Sequence, residues 1–471
     1  MILKNILWDF FGRFFIRSTG FVVTLILTAI LDPEAFGVIG LCTTIVFFAN
    51  QFIDVGFSQS LVQAKKIDDE VLHTFFWIMS GLSFIAWILI FSLSPVFASF
   101  YEEPKLEVYL KWISVLFPLN LLTFIPNILL VRSLKFKLIS VFNVITSIIS
   151  GIIAIYLALN NYGVWSLIVQ SIIQSFILST LLITNTKYYP QFIFSLKSIK
   201  PLWNYGMYAF LDSIFVTIYS RIDTLLFGKI FTFETLGQYH RAKSMLNYTI
   251  EFSSNSLTRV LFPYFSQIQD HKERIHKLYL DSFSVIAFIS IGLSGLIYLS
   301  AKDLFLLLFG PEWVRSADLL KILIINGYAT PVSAIMINVI LGLGYSKLNL
   351  HLGVIKKIIG LGCLLIAYFY SLEIYLYSLI ATTVVGVSLN MYYLKKLISV
   401  DLISQWKKIA THAIVIGGVI SITEYMIPPQ TSWLFLILKC VSYSILYVTI
   451  TFIIDRSLLQ RIIFQIKRLK A

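Results

Sequence analysis

Asp32-Pro33-Glu34-Ala35-Phe36-Gly37 follows the first apolar run of this 471-residue chain, and Thr232-Phe233-Glu234-Thr235-Leu236-Gly237 follows the seventh, 200 positions later. Each turn opens a long helical stretch that ends in a charged loop, Lys65 to Glu70 in one case and Asp270 to Lys277 in the other. Further on, Val96-Phe97-Ala98-Ser99-Phe100 before Glu103-Pro104 echoes Leu304 to Phe309 before Gly310-Pro311-Glu312. Self-similarity at a fixed offset marks an internal duplication. With six apolar runs per unit, an even number, both units take the same orientation in a bilayer, which predicts two parallel bundles related by an axis along the membrane normal.

The bilayer itself follows from composition. The chain is 58% hydrophobic, 15% aromatic and 13% charged, with a mean hydropathy of +0.84, where soluble domains are about 45–50% apolar and about 25% charged. A span needs about 20 apolar residues. That ruler predicts about fourteen spans, near 12–31, 36–61, 73–98, 108–131, 138–159, 163–185, 205–230, 237–265, 280–300, 317–343, 351–370, 374–394, 408–427 and 433–454. The expected fold is all-α and polytopic. A first bundle covers 1–186, a cytoplasmic connection 187–204, a second bundle 205–396, two extra helices 407–455, and a basic tail 456–471.

Charge sets the orientation. With a cytoplasmic amino terminus, the inner loops receive Lys65 and Lys66, then Arg132, Lys135 and Lys137, then Lys187, Lys197 and Lys200. Lys272, Arg274, Lys277, Lys347, Lys395, Lys396, Lys407 and Lys408 follow, and Arg456, Arg461, Lys467, Arg468 and Lys470 fill the tail. The opposite loops hold little beyond Lys105, Lys229, Lys302 and Arg315, so both termini are expected in the cytoplasm. Asp9, Arg13 and Arg17 interrupt the apolar core that a cleavable signal peptide requires.

The formal net charge of +13 is spread over short loops, with no compact polar domain to present a nucleic-acid-binding face. No glycine-rich nucleotide loop and no His/Cys cluster of metal-like spacing occurs; Cys42, Cys363 and Cys440 read as small buried hydrophobes, and the six histidines as solvated residues, mostly at helix ends. Neither a metal nor a cofactor is expected, and the chain reads as a transporter rather than an enzyme.

Several arginines nevertheless fall in apolar runs. Arg13 and Arg17 open the first, Arg221 lies inside a long one, and Arg241 and Arg259 mark the ends of another. An ionised side chain at the bilayer centre costs roughly 2.5–3.5 kcal/mol on the mildest scale, so such groups face water, a cavity or a partner. Arg241 and Arg259 are five helical turns apart and share a face, with Ser244, Tyr248, Glu251 and Asn255 near the same stripe. The acids Asp54, Asp223 and Glu251 are candidates for taking up a coupling H+ or Na+; Asp223 could equally neutralise an arginine of a neighbouring helix.

Taken in order, the stretches Asp32 to Gly37, Asp54-Val55-Gly56-Phe57-Ser58, Arg221-Ile222-Asp223 with Leu236 to Ala242, Arg259-Val260-Leu261-Phe262-Pro263 with Ser266 and Gln269-Asp270, and Gly310-Pro311-Glu312-Trp313 resemble the polysaccharide-transporter branch of the multidrug/oligosaccharidyl-lipid/polysaccharide (MOP) exporter superfamily. Within it the chain is most similar to Wzx-type repeat-unit flippases of the colanic-acid and teichuronic-acid kind, from about Leu7 to Tyr393. The resemblance implies a MATE/MOP-like fold in a bacterial cytoplasmic membrane. It also implies translocation of an undecaprenyl-pyrophosphate-linked oligosaccharide from the cytoplasmic to the outer leaflet, with membrane lipid, a polysaccharide polymerase and chain-length machinery as partners.

On that reading Arg221, the Arg241–Arg259 stripe, Tyr248 and Asn255 hold the anionic head. Arg13 and Arg17, four apart in the cytoplasmic half of the first span, either capture the pyrophosphate or snorkel to anionic headgroups. Two other readings stay open. A MATE-type multidrug/cation antiporter predicts a cavity dominated by acids; a membrane polymerase or glycosyltransferase predicts a sizeable outer loop near Lys302 to Ala317.

Overall fold

The computed structural model describes residues 2–54, 56–63, 67–428 and 430–456. Side chains are described there except at 2–11, 13, 57, 59, 63, 198, 201–206, 208–209, 212 and 251–260. No strand occurs among the described residues. The first helices are α1 (Ile2–Ile30), α2 (Pro33–Asp54), α3 (Phe57–Gln63), α4 (Asp69–Phe100), α5 (Lys105–Ile113), α6 (Leu116–Arg132), α7 (Phe136–Leu159) and α8 (Val164–Thr186). There follow α9 (Leu196–Ile230), α10 (Phe233–Gln267) and α11 (Lys272–Phe309), a 3-10 turn (Pro311–Trp313), α12 (Val314–Ile325) and α13 (Ala329–Gly342). The last four are α14 (Ser346–Phe369), α15 (Leu372–Ile398), α16 (Leu402–Met426) and α17 (Trp433–Ile454).

Hydrocarbon offers the backbone no hydrogen-bond partner, so an apolar run must close its own bonds as helix. Eleven helical segments among the described residues are long and apolar enough to cross a membrane; α1, α9 and α10 fall outside that count. The chain is thus a multi-pass membrane protein. Three expected spans are interrupted. The 36–61 run breaks at Gly56, whose φ of 70° suits glycine, while Asp54 accepts bonds from the Ser58 N–H (3.0 Å) and Oγ–H (2.7 Å) and so caps α3. The 108–131 run splits between Ile113 and Leu116, and the 317–343 run between Ile325 and Ala329. Near Lys302 to Ala317 there is no large loop: α11 runs to Phe309 and α12 starts at Val314.

The chain divides into two compact units, Met1–His240 and Arg241–Ala471. In the first, the segment after α8 is tied to the start of α4. Trp77 Nε1–H donates to the Gln191 carbonyl (2.8 Å), Gln191 N–H to His73 Nδ1 (3.2 Å), and Ser195 N–H to Thr74 Oγ1 (3.0 Å). His73 is buried in this seam, and His412 is buried beside Tyr447, contrary to the expectation of solvated histidines.

In the second unit, Phe265, Tyr279, Phe283, Met336 and Met391 sit in one apolar core built largely around α11 and α13. The α17 helix docks on α11 through residues four apart, hence on one face. Tyr443 donates to the Gly292 carbonyl (3.0 Å), Tyr447 to the Phe288 carbonyl (2.9 Å), and the Lys439 ammonium meets Asp303 at 2.6 Å. Both members of that ion pair are largely buried. Removing one strands the other's charge, at about 3–5 kcal/mol. Lys439→Ala or Asp303→Ala is therefore expected to lower the thermal denaturation midpoint in detergent, and Lys439→Met with Asp303→Leu to recover most of it; a double variant as weak as the singles would refute the pairing argument.

Candidate functional site

In the first unit α9 carries Arg221 and Asp223. The Arg221 guanidinium is half-buried and lies 4.8 Å from the centroid of the Phe47 ring of α2. An aromatic face holds a guanidinium in place without neutralising it. Among the described residues no carboxylate pairs with Arg221, so a fixed cation with five N–H donors stands in the carboxyl-terminal half of α9.

Asp223 is buried, and its oxygens accept bonds from the Tyr239 hydroxyl (2.6 Å) and from the Thr224 N–H (2.8 Å). It fastens α9 to the first turns of α10. Sequence pattern gave no sign of Tyr239, because a pairing across a turn at a separation of 16 has no helical period. Asp54, the second acid considered for ion coupling, is engaged as the α3 cap. Arg17 is exposed on α1. The side chain of Arg13 lies outside the described residues.

In the second unit Arg241 is 4% exposed and its guanidinium lies 5.8 Å from the ring centroid of Trp313, itself 1% exposed. The Gly310-Pro311-Glu312-Trp313 turn holds that indole: Gly310 has φ 92°, Pro311 opens the 3-10 turn, and Trp313 points inward. Tyr248 is half-buried two turns along the same face of α10. The side chains of Glu251, Asn255 and Arg259 lie outside the described residues.

Two cations escaped the hydropathy ruler. Lys356 and Lys357 sit within α14, in a stretch read as apolar, and the Lys356 ammonium donates to Asn390 Oδ1 of α15 at 2.9 Å. Beside the Asp32 and Thr232 turns is a cleft of about 470 Å³ lined by Glu34, Glu102, Glu103, Glu234 and Lys229, among others. The Lys229 ammonium, hydrogen-bonded at 2.6 Å, holds the Glu102 carboxyl below the usual range. Four carboxylates around one ammonium make this cleft repellent to phosphate.

Residues 26–318 match the family profile described as polysaccharide biosynthesis protein. The chain is 26% identical over 335 residues to the succinoglycan biosynthesis transport protein ExoT of Rhizobium meliloti (strain 1021), covering 70% of this chain and 67% of that one. By structure it superimposes on the lipid II flippase MurJ in an inward closed conformation, with a TM-score of 0.77 at 16% identity over 96% of this chain and 100% of the other. It also superimposes on an inward-facing multidrug resistance MATE family transporter of the MOP superfamily, with a TM-score of 0.62 at 14% identity over 81% and 95%. The fold is the MATE/MOP-like fold expected from the sequence.

Proposed function

Because this chain belongs to the polysaccharide biosynthesis protein family, we propose that it is a flippase for a lipid-linked oligosaccharide. It moves an undecaprenyl-pyrophosphate-linked repeat unit from the cytoplasmic to the outer leaflet of a bacterial cytoplasmic membrane by alternating access, with both termini in the cytoplasm. The observation that carries this reading is Arg221, a half-buried guanidinium held over Phe47 with no carboxylate among the described residues to neutralise it. A guanidinium fork matches phosphate oxygens two at a time. Arg241, shelved on Trp313, supplies the same fork in the second unit, and Tyr248 adds a hydroxyl donor.

The energetics agree in sign. With the cell interior negative, outward movement of an anion is favoured by about 2.3 kcal/mol per charge per 100 mV, so the obstacle is stripping water from the pyrophosphate. Fixed N–H donors replace that water. Ion coupling by H+ or Na+ would fall to Glu251 among the acids considered, since Asp54 and Asp223 already serve the fold. A cation antiporter on the same scaffold predicts a cavity dominated by acids, whereas Arg221 and Arg241 are cations.

Loss of the gene is expected to abolish surface polysaccharide and to leave lipid-linked repeat units on the cytoplasmic leaflet. Arg221→Ala reproduces this while the protein stays in the membrane, and Arg221→Lys keeps part of the activity. Wild-type surface polysaccharide in Arg221→Ala cells would refute the assignment of the headgroup contact.

A further inference from the structure

Near the midpoint of α14, about 15 Å from its start and about 20 Å from its end, Lys356 lays its aliphatic stem across Gly386 of α15. A methyl group there would come within 3.0 Å of Lys356 Cδ and 3.3 Å of Cγ. The stem thus delivers the ammonium to Asn390, one turn further along α15, where it donates to Oδ1 at 2.9 Å. Lysine has donors only, so this bond fixes the amide: Oδ1 faces the ammonium, and Nδ2 with its two hydrogens points away. Asn390 is fully buried, and its Nδ2 meets no hydrogen-bond partner among the described residues.

The inventory is one-sided. The ammonium uses one of its three N–H groups on Asn390, the amide offers two more, and Lys357 adds a second positive charge at the next position of α14. The Lys356 ammonium and the Asn390 amide donors meet at mid-span, and among the described residues no carboxylate pairs with Lys356. Ordinary phospholipid headgroups sit at the interface, some 15 Å from this level. An anion that reaches this level is one crossing the bilayer.

From this geometry we infer that Lys356 and Asn390 form an anion-binding site in the second unit that takes a phosphate of the pyrophosphate linker during translocation. The inference rests on the flippase reading and adds a position to it: Lys356 gives the charge, Asn390 fixes the ammonium and adds amide donors, and Gly386 leaves room for the stem.

The test uses full-length protein in lipid nanodiscs, with bound lipid read by native mass spectrometry. The probes are undecaprenyl pyrophosphate, undecaprenol and phosphatidylglycerol. Wild type is expected to prefer the pyrophosphate over undecaprenol, Lys356→Met to weaken pyrophosphate binding about tenfold, and Lys356→Arg to retain most of it. Asn390→Leu weakens it as well, and undecaprenol binding is unchanged in all three variants. Wild-type preference retained in Lys356→Met overturns this assignment alone. An equal loss of phosphatidylglycerol binding overturns the assignment to the pyrophosphate lipid. Wild type that binds pyrophosphate and undecaprenol alike overturns the flippase reading and this site with it.

Discussion

Arg241→Ala is expected to abolish surface polysaccharide with the protein still present in the membrane. The guanidinium is buried and shelved on Trp313, so a phosphate that meets it meets a desolvated charge. Truncating one partner of a buried, hydrogen-bonded charge pair costs about 2–5 kcal/mol, and each 1.4 kcal/mol is about tenfold. A drop of at least about 30-fold in translocation by reconstituted protein follows. Arg241→Lys keeps the charge but loses the planar fork and much of the stacking, and should fall between the two.

The indole allows a second reading of the same contact. Trp313→Phe preserves an aromatic shelf and should retain activity, whereas Trp313→Ala frees the guanidinium and should lower it. The measurement is transfer of a lipid-linked oligosaccharide across proteoliposomes, with protein recovery checked in parallel. Wild-type rates in Arg241→Ala would remove Arg241 from the mechanism and leave the headgroup to Arg221 and Lys356.

What the sequence disclosed and what it concealed divide along physical lines. Helix formation in lipid is compulsory for an apolar run, so helices stand where the runs are. Interruptions were invisible where they depend on packing rather than composition: the break at Gly56 needs a positive φ and an Asp54 cap, and neither changes the hydropathy of the run. A windowed hydropathy ruler also averages over single charges, which is why Lys356 and Lys357 disappeared into α14. Arginines attract notice in a span, but the feature that gives each its chemistry, Phe47 beneath Arg221 and Trp313 beneath Arg241, comes from distant sequence. His73 and His412 look like helix-end residues by position, yet each is buried against a tyrosine hydroxyl.

The two similar turns, 200 residues apart, meet each other. A Cβ added to Gly37 would lie 1.9 Å from the Phe233 carbonyl oxygen and 3.0 Å from the Gly237 nitrogen; one added to Gly237 would lie 1.7 Å from the Pro33 oxygen and 3.0 Å from the Gly37 nitrogen. Each contact is the image of the other under the 200-residue offset, so a local two-fold relates the first turns of α2 and α10 within the first unit. Glycine at both positions is a steric requirement, because the obstructing atoms are backbone and cannot rotate away.

Gly37→Ala and Gly237→Ala should therefore be nearly equal in effect, each costing about 1–3 kcal/mol or more through forced separation of the two helix starts. That lowers the denaturation midpoint by about 5 °C. Separation forced by the first methyl makes room for the second, so the double variant should lose clearly less than the sum of the singles. Gly81→Ala in α4, where an added methyl meets nothing within 4 Å, is the control and should leave the midpoint unchanged or slightly raised. Additive losses in the double variant, or a wild-type midpoint in Gly237→Ala, would show that the two turns do not bear on each other.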